Sequence, residues 1–214
     1  MHVAELYIGS IAIGALKDFI LTVVSTLVSL ILGILFAALR LYGNFIIKAV
    51  IGWYVEIIRG LPAILQLFII FFGLNQIGIR LSPLTAGLIW LVAYGSGYAV
   101  EIFRSGIMDV ADGQREAAAA LGLNWWTMMR KVVMPQAFAV MLPALTSFVV
   151  LQLKNTTMLY LVGYADIMYQ ARLGTDATDA PGVLYLMSAI AYLVMSLIIG
   201  IVGNRMEKRV AAYR

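Results

Sequence analysis

The sequence contains no cysteine and only one histidine, His2, near its start. Disulfide bonds and thiol chemistry are therefore excluded, and a histidine-based metal site or a Ser-His-Asp triad has almost no residue to build on. Charged residues are also few, at 12% of 214, while hydrophobic residues make up 63%. Soluble domains have about a quarter charged and just under half apolar residues. Because a soluble fold could not cover so much apolar surface, the composition predicts a protein embedded in a lipid bilayer.

Long apolar runs predict an all-α polytopic membrane bundle that forms a single domain over 1–214. Phe19 to Leu39 is free of charge and, at 1.5 Å per residue, reaches about 31 Å, the thickness of one bilayer core. Within this run small residues recur every four positions and predict a face for close helix packing: Ser25, Ser29, Gly33 and Ala37. The sequence predicts five transmembrane helices, at 19–39, 49–73, 84–103, 132–153 and 182–203. The second of these is interrupted by "RGLP", Arg59 to Pro62.

Five spans place the two ends of the chain on opposite sides of the membrane, and basic residues favour the cytoplasmic side. With the N-terminus outside and the C-terminus in the cytoplasm, the outer segments hold Lys17, Arg80, Lys154 and Arg172. The inner segments then hold a larger set, namely Arg40, Lys48, Arg104, Arg115, Arg130, Lys131, Arg205, Lys208, Arg209 and Arg214. This orientation places the polar segment 104–131 in the cytoplasm.

The polar segment 104–131 predicts a helix, a turn and a second helix. Asp112 can cap a helix over Gly113 to Leu121, and Gly122 suits the left-handed turn that ends a helix. Asn124 can cap the short helix that follows, before the fourth span resumes near Pro135. The alanines Ala117 to Ala120 expose little side chain, so a partner protein can approach the backbone closely. An ordinary surface helix with a glycine cap explains the same residues equally well.

The same segment resembles the cytoplasmic loop of binding-protein-dependent ABC importer permeases. Glu116-Ala117-Ala118 is followed after three residues by Gly122, and nine more residues lead to Val132-Val133-Met134-Pro135. This is the family's EAA-x3-G-x9-I-x-L-P spacing with Val132 and Met134 as conservative departures. The flanks "EIIRGLPAILQLFIIFFGL" and "LKNTTMLYLVGYADI" look like the polar amino acid permease branch, of histidine, glutamine or glutamate type. Leu61 and Thr157 depart from the Thr and Ser that are usual there.

The resemblance implies a type I ABC importer permease and its partners. Glu116, Ala117, Ala118 and Gly122 would then form the coupling helix that docks into a separate ATPase. The sequence has no G-x-x-x-x-G-K-[ST] loop, so this chain is expected to bind no cofactor, with ATP and Mg held by the partner. The expected partners are two ATP-binding subunits, a second permease subunit that is identical or related, an extracytoplasmic solute-binding protein and an amino acid, but no nucleic acid.

The run Val132 to Gly163 is too long for one straight span, since about 32 residues reach roughly 48 Å. Its polar cluster, Gln152 to Thr157, predicts a break that dips back toward the membrane, as broken helices in transporters do around substrate. The candidate substrate-binding residues are Gln66, Tyr98, Lys154, Thr156, Thr157 and Asp166. Lys154 offers a cation to a carboxylate, and Asp166 offers an anion to an amino group. The alternative is a helix end at the outer surface with Lys154 solvated.

Three charged residues within or near the spans need partners or water, because a lone charge in a bilayer costs several kcal/mol. Glu56 and Arg59 lie three residues apart on one helix face, so a local pair is one option. Glu101 is within reach of Arg104 in the same way, or of Arg59 across the bundle. Pairing that fixes helix packing is the favoured interpretation of Glu56, Arg59 and Glu101, with direct substrate contact as the alternative.

Two other function classes compete with an importer subunit. A stand-alone channel or secondary transporter for small polar solutes would have no need of the alanine-rich helix, and many such folds show inverted repeats that are not visible here. An intramembrane enzyme lacks candidate residues, since there is no cysteine, no useful histidine and no paired carboxylate within the spans. The expected role is therefore transport without catalysis by this chain.

Overall fold

The computed structural model describes residues 2–210. These residues form helices joined by short turns and loops, without a strand. The elements are α1 His2–Tyr42, α2 Phe45–Gly60, α3 Ala63–Phe68, α4 Leu74–Gln76, α5 Pro83–Met108, α6 Asp112–Ala120, α7 Trp125–Met128, α8 Met134–Thr156, α9 Ile167–Thr178 and α10 Pro181–Val210. In the described residues four helical stretches are long and apolar enough to cross a membrane, and a bent fifth is formed by α2 with α3 and α4. The all-α membrane bundle is confirmed.

Helix α1 is twice as long as the predicted span 19–39. It has 41 residues, which at 1.5 Å per residue is about 62 Å, so it tilts or extends beyond the bilayer. Lys17 and Asp18 precede the predicted span in sequence, but Asp18 is buried and accepts a hydrogen bond from the Tyr192 hydroxyl at 2.7 Å. Asp18 therefore joins α1 to α10, and the helix begins well before it.

The small-residue face of α1 packs against α5, as predicted. Gly33 and Ala37 are buried there, and a Cβ added to Gly33 would overlap Ala99. The Ser29 hydroxyl lies 3.3 Å from the carbonyl oxygen of Val92, to which it donates. Helix α5 also contacts α2 and α8, so it is the central helix of the bundle.

The second predicted span, 49–73, is bent by 109° at the "RGLP" interruption, between α2 and α3. Leu61 is extended there and Pro62 precedes the first turn of α3. The side chain of Gln66 stabilises the break, since its Nε2 donates to the carbonyl oxygens of Ile58 at 2.8 Å and Leu61 at 3.0 Å. The backbone carbonyls that lose their helical partners at the bend therefore still accept hydrogen bonds inside the apolar layer.

The fourth span differs from its prediction at both ends. It begins at Trp125 and not at 132, because α7, a π-helical turn over Met129–Val133, and α8 form one 38-residue stretch to Val162. The wide π turn lies just before Pro135, where a residue without an N–H disrupts the regular helical ladder.

The break predicted at Gln152 to Thr157 is absent. Helix α8 runs to Thr156, tightens into a 3-10 helix over Thr157–Val162, and ends at Gly163 with φ +89°. The threonine hydroxyls bond within the helix, from Thr156 to the Leu153 carbonyl and from Thr157 to the Lys154 carbonyl, both at 2.7 Å. These polar side chains are satisfied by their own helix, so they do not break it.

Candidate functional site

Helix α6 is a short helix between α5 and α7, and a glycine turn follows it. It begins at Asp112, with Ala111 and not Asp112 at the cap position, so the predicted Asp112 cap is wrong. Its end is as predicted: Gly122 has φ +73°, and the N–H of Leu123 donates to the Ala118 carbonyl at 3.1 Å. This left-handed turn closes the carbonyl end of the helix and reverses the chain toward α7.

One face of α6 is exposed and the other is held by the bundle. Glu116, Ala117 and Gly122 are exposed, but Ala118 is buried, at 3% exposure, and faces its own chain. The exposed set also includes Leu121 and Trp126, at 79% and 77%. Sequence reasoning did not assign these two to partner contact, although two large exposed apolar residues on a polar segment are a signal for it.

Two contacts brace α6 against the transmembrane helices. Arg115 donates to the carbonyl oxygen of Ile107 at the end of α5, over 2.5 Å, and Gln136 on α8 donates to Gln114 at 3.3 Å. Asn124 caps α7 as predicted, accepting from the Thr127 N–H at 2.9 Å. The helix is therefore connected directly to α5 and to the continuous helix α7–α8.

Glu101 is paired at the end of α5, but its second partner was not predicted. One carboxylate oxygen accepts from Arg104 at 2.9 Å, and the other is bonded to Arg40 of α1. Arg59, the predicted cross-bundle partner, is instead placed over the ring of Tyr98, 5.7 Å from its centroid. Glu101 therefore joins α1 to α5, and of its two alternative predicted partners it binds Arg104 and not Arg59. The sequence placed Arg40 among the inner basic residues and gave it no partner.

Among the charged side chains of α2 and α8, Glu56, Arg59 and Lys154 are exposed on the surface of this chain. No ion pair joins them to one another in the described part of the chain, so the predicted local pair of Glu56 and Arg59 is not formed. Lys154 lies eight residues, or about 12 Å, before the end of its helix at Val162. Charges in this position require water or another protein beside them, since lipid would leave them unsolvated.

Aromatic residues of α5 form a wall next to Arg59. The rings of Trp90, Tyr94 and Tyr98 stack along the helix, with centroids 5.6 and 4.8 Å apart. The hydroxyl of Tyr94 donates to that of Tyr98 at 3.1 Å. Leu151 and Met158, on either side of Lys154, pack into the same apolar cluster as Tyr98. The structure thus brings Tyr98, Arg59 and the Lys154 segment to one region.

The remaining candidates are less available to a solute. Gln66 donates its hydrogen bonds to backbone carbonyls at the α2–α3 break. Thr156 is fully buried. Asp166 is also fully buried, at the N-cap of α9, where it accepts a hydrogen bond from the Tyr169 N–H at 2.7 Å. Thr157 is half-buried. An apolar cavity of about 770 Å³ between α1, α2 and α5 has Tyr54 and Ser96 among its few polar residues, so it does not suit a charged solute.

Comparison with known proteins agrees with this architecture. The family described as "Binding-protein-dependent transport system inner membrane component" matches residues 29–212. The chain is 33% identical over 196 residues to the probable glutamine ABC transporter permease protein GlnM of Bacillus subtilis (strain 168), covering 92% of this chain and 91% of that protein. It is 32% identical over 192 residues to the arginine transport system permease protein ArtQ of the same organism, covering 88% and 87%.

Solved structures share the fold. A crystal structure of an amino acid ABC transporter with histidines aligns with a TM-score of 0.91 at 33% identity, over 96% of both chains. The MetNI methionine ABC transporter, in an inward-facing conformation, aligns with a TM-score of 0.81 at 19% identity, over 96% of this chain and 98% of that one. The second alignment shows a common fold.

Proposed function

Because this chain belongs to the binding-protein-dependent transport system inner membrane components, and is a membrane permease subunit of an amino acid ABC transporter and not an enzyme, we propose that its exposed intramembrane charges line the path of the amino acid. The observation that carries this proposal is the exposure of Glu56 and Arg59 in the bent span and of Lys154 in the fourth span. A second permease subunit, identical or related, faces these residues and shields them from lipid, and water fills the path between the two subunits. Both charges of an amino acid then find opposite charges along one surface.

Lys154 is the proposed contact for the substrate carboxylate. It is exposed, while its neighbours Leu153 and Asn155 are buried, so Lys154 is the residue of this turn that a solute can reach. The half-buried Thr157 lies one turn later, and Tyr98 with Arg59 lies in the same region of the bundle. The cation favours acidic or amide amino acids slightly, and the similarity to a probable glutamine permease agrees with this tendency.

The other partners follow from the family, whose members work with an ATPase and a binding protein. We propose two ATP-binding subunits on the side of α6, which places the C-terminus in the cytoplasm and the N-terminus outside, with ATP and Mg bound by those subunits. Glu116, Ala117 and Gly122, together with the exposed Leu121 and Trp126, form the proposed contact surface. Ala118 supports this surface from behind because it packs inward.

Transport by Lys154→Ala and Thr157→Val in the reconstituted complex tests the path. We expect Lys154→Ala to lower uptake about tenfold or more, because a charged hydrogen bond contributes roughly 1.5–3 kcal/mol. Stimulation of the ATPase by the binding protein should persist, and Lys48→Ala, an exposed lysine on α2, is the matched control. A competition panel across amino acids in the same assay would identify the substrate.

Unchanged uptake in both variants would move the substrate site elsewhere. Uptake driven by an ion gradient without ATP would contradict the importer assignment and favour the stand-alone transporter. Loss of ATPase stimulation together with uptake would place the defect in coupling, so it would also count against a substrate contact at Lys154.

A further inference from the structure

Two carboxylates are fully buried where α1, α9 and α10 meet. Asp18 of α1 accepts hydrogen bonds at Oδ2 from the Tyr192 hydroxyl at 2.7 Å and from the Ile167 N–H at 3.3 Å. Asp166 caps α9 by accepting the Tyr169 N–H at Oδ1. The other oxygen of each, Oδ1 of Asp18 and Oδ2 of Asp166, is buried and has no partner. An ionised carboxylate with a buried, unpaired oxygen is unfavourable, and two neighbouring ones are more so.

The backbone holds the two carboxylates near each other. Asp18 bonds to the N–H of the residue that follows Asp166, and one turn earlier Gly14 packs so closely that a Cβ there would lie 2.8 Å from the Ile167 nitrogen. The small residue at 14 therefore lets α1 approach the start of α9. A side chain at this position would separate the elements that carry the two acids.

The surrounding groups offer no buried counter-charge. On α1 the neighbour Lys17 is half-buried and forms no ion pair with either acid among residues 2–210. Helix α10 contributes the neutral Tyr192, the connection before α9 contributes Tyr164, and α8 contributes Thr156, whose hydroxyl donates to the Leu153 carbonyl. The charged Arg172 and Asp176 of α9 are exposed and face each other at 3.9 Å.

The electrostatics of Asp166 agree with this geometry. Burial raises the pKa of its carboxyl to about 8; the backbone N–H of Tyr169, and to a smaller extent those of Tyr160 and Met168, oppose the rise, while the charge of Asp18 adds to it. Burial, followed by the charges of Asp18 and Asp166, also raises the pKa of Tyr164.

We propose that Asp18 and Asp166 hold one proton between them at neutral pH, and that this proton keeps α1 joined to α9 and α10. With the proton on Asp166, the pair carries a single charge, which the Tyr192 hydroxyl and the Ile167 N–H stabilise on Asp18. Loss of the proton puts a second negative charge into the same buried space. The Asp18–Asp166 joint is therefore a pH-sensitive connection that weakens as the pH becomes alkaline.

The sign of the pH dependence follows from linkage. The folded-state pKa of Asp166 lies above the ordinary value of 3.8, so the folded protein binds more protons than the unfolded chain between these two values. The contribution of Asp166 to the free energy of unfolding is complete below pH 3.8 and is lost progressively as the pH rises to about 8. This direction is opposite to that of a carboxylate in a salt bridge.

Thermal unfolding of the intact permease–ATPase complex at several pH values from 6 to 9 tests the proposal, combined with infrared spectroscopy of the protonated-carboxyl band at pH 7. We expect the wild-type melting temperature to fall across this range, and Asp166→Asn to remove at least half of that fall together with the infrared band. Asp18→Asn should also reduce the fall, because the repulsion that raises the pKa of Asp166 is gone. Asp176→Asn, on the exposed side of α9, is the control and should behave as wild type.

Each of three other results would contradict the proposal that Asp18 and Asp166 share a proton. If the infrared band is absent at pH 7, or is unchanged in Asp166→Asn, the pair holds no proton there. If Asp166→Asn and Asp176→Asn have the same pH profile as wild type, another group causes the dependence. If added Na⁺ or Ca²⁺ raises the melting temperature of wild type but not of Asp166→Asn, the pair binds a cation in place of the proton.

Discussion

Single glycines in this protein have opposite roles according to what lies beside them. Gly33 is a contact position, where an added Cβ would overlap the Ala99 side chain and lie 3.1 Å from its carbonyl carbon. Gly52 in α2 has nothing within 4 Å of an added Cβ. The residue type is the same, so the neighbouring helix alone decides the effect of a methyl group.

We expect Gly33→Ala to destabilise the protein by about 1–3 kcal/mol, because α1 and α5 must separate to fit the methyl group. Gly52→Ala should be neutral or stabilising by about 0.5–1 kcal/mol, because alanine is a better helix former. Denaturation of the purified protein in detergent, with both variants in parallel, measures the difference. Equal stability of the two variants would show that α1 does not pack closely on α5 at Gly33.

The polar segment shows how a whole element depends on one turn. Helix α6 has nine residues, which is too short to be stable alone, so its position depends on the Gly122 turn and on the contacts of Arg115 and Gln114. An element held in this way at both ends can transmit a displacement to α5 and α8 if a partner moves it. This is the property that coupling to an ATPase requires.

Gly122→Val should uncouple transport from ATP hydrolysis. Its φ of +73° costs a side-chain-bearing residue roughly 1–2 kcal/mol and more for a β-branched one, so the turn and the exposed face of α6 should shift. Uptake and binding-protein stimulation of the ATPase are the measurements, with membrane insertion expected to be normal. Gly113→Ala, in the same helix with open space around it, is the control. Wild-type uptake with full stimulation in Gly122→Val would refute the assignment of α6.

Charged residues connect α1 to other helices of the bundle at two separate places. At one place Glu101 of α5 binds Arg40 and Arg104, and at the other Asp18 binds Tyr192 and the start of α9. Helix α1 therefore joins elements that are far apart in the chain, from α5 to α10. A displacement of α1 affects both sets of contacts.

Glu101→Gln should destabilise the protein by about 1–3 kcal/mol, because two arginines then face each other without a counter-charge. A double-mutant cycle with Arg40→Gln should show coupling of about 0.5–3 kcal/mol. Glu56→Gln is the control for stability, since Glu56 is exposed and forms no ion pair in the part of the chain that the structure describes. Additive effects of Glu101→Gln and Arg40→Gln would mean that the pair does not join α1 to α5.

The sequence alone determined the class of the protein, its helical spans and the α6 segment, because these depend on local properties. Apolar runs of membrane length, a glycine after an alanine-rich helix and an asparagine before α7 act over a few residues, so their spacing is visible in one dimension. The interruption at "RGLP" was visible for the same reason, although its 109° bend was not.

Only the tertiary structure decided how the polar residues are used. Asp18 precedes an apolar run in sequence but is buried against Tyr192, 174 positions away, and Glu101 binds Arg40 and not Arg59. Lys154 and Asp166 were both candidates for substrate contact, yet the first is exposed and the second is buried. A polar side chain in a membrane protein forms hydrogen bonds with the donor, acceptor or water that lies beside it in the packed structure. The contacts between helices determine that partner, and a local sequence pattern does not record them.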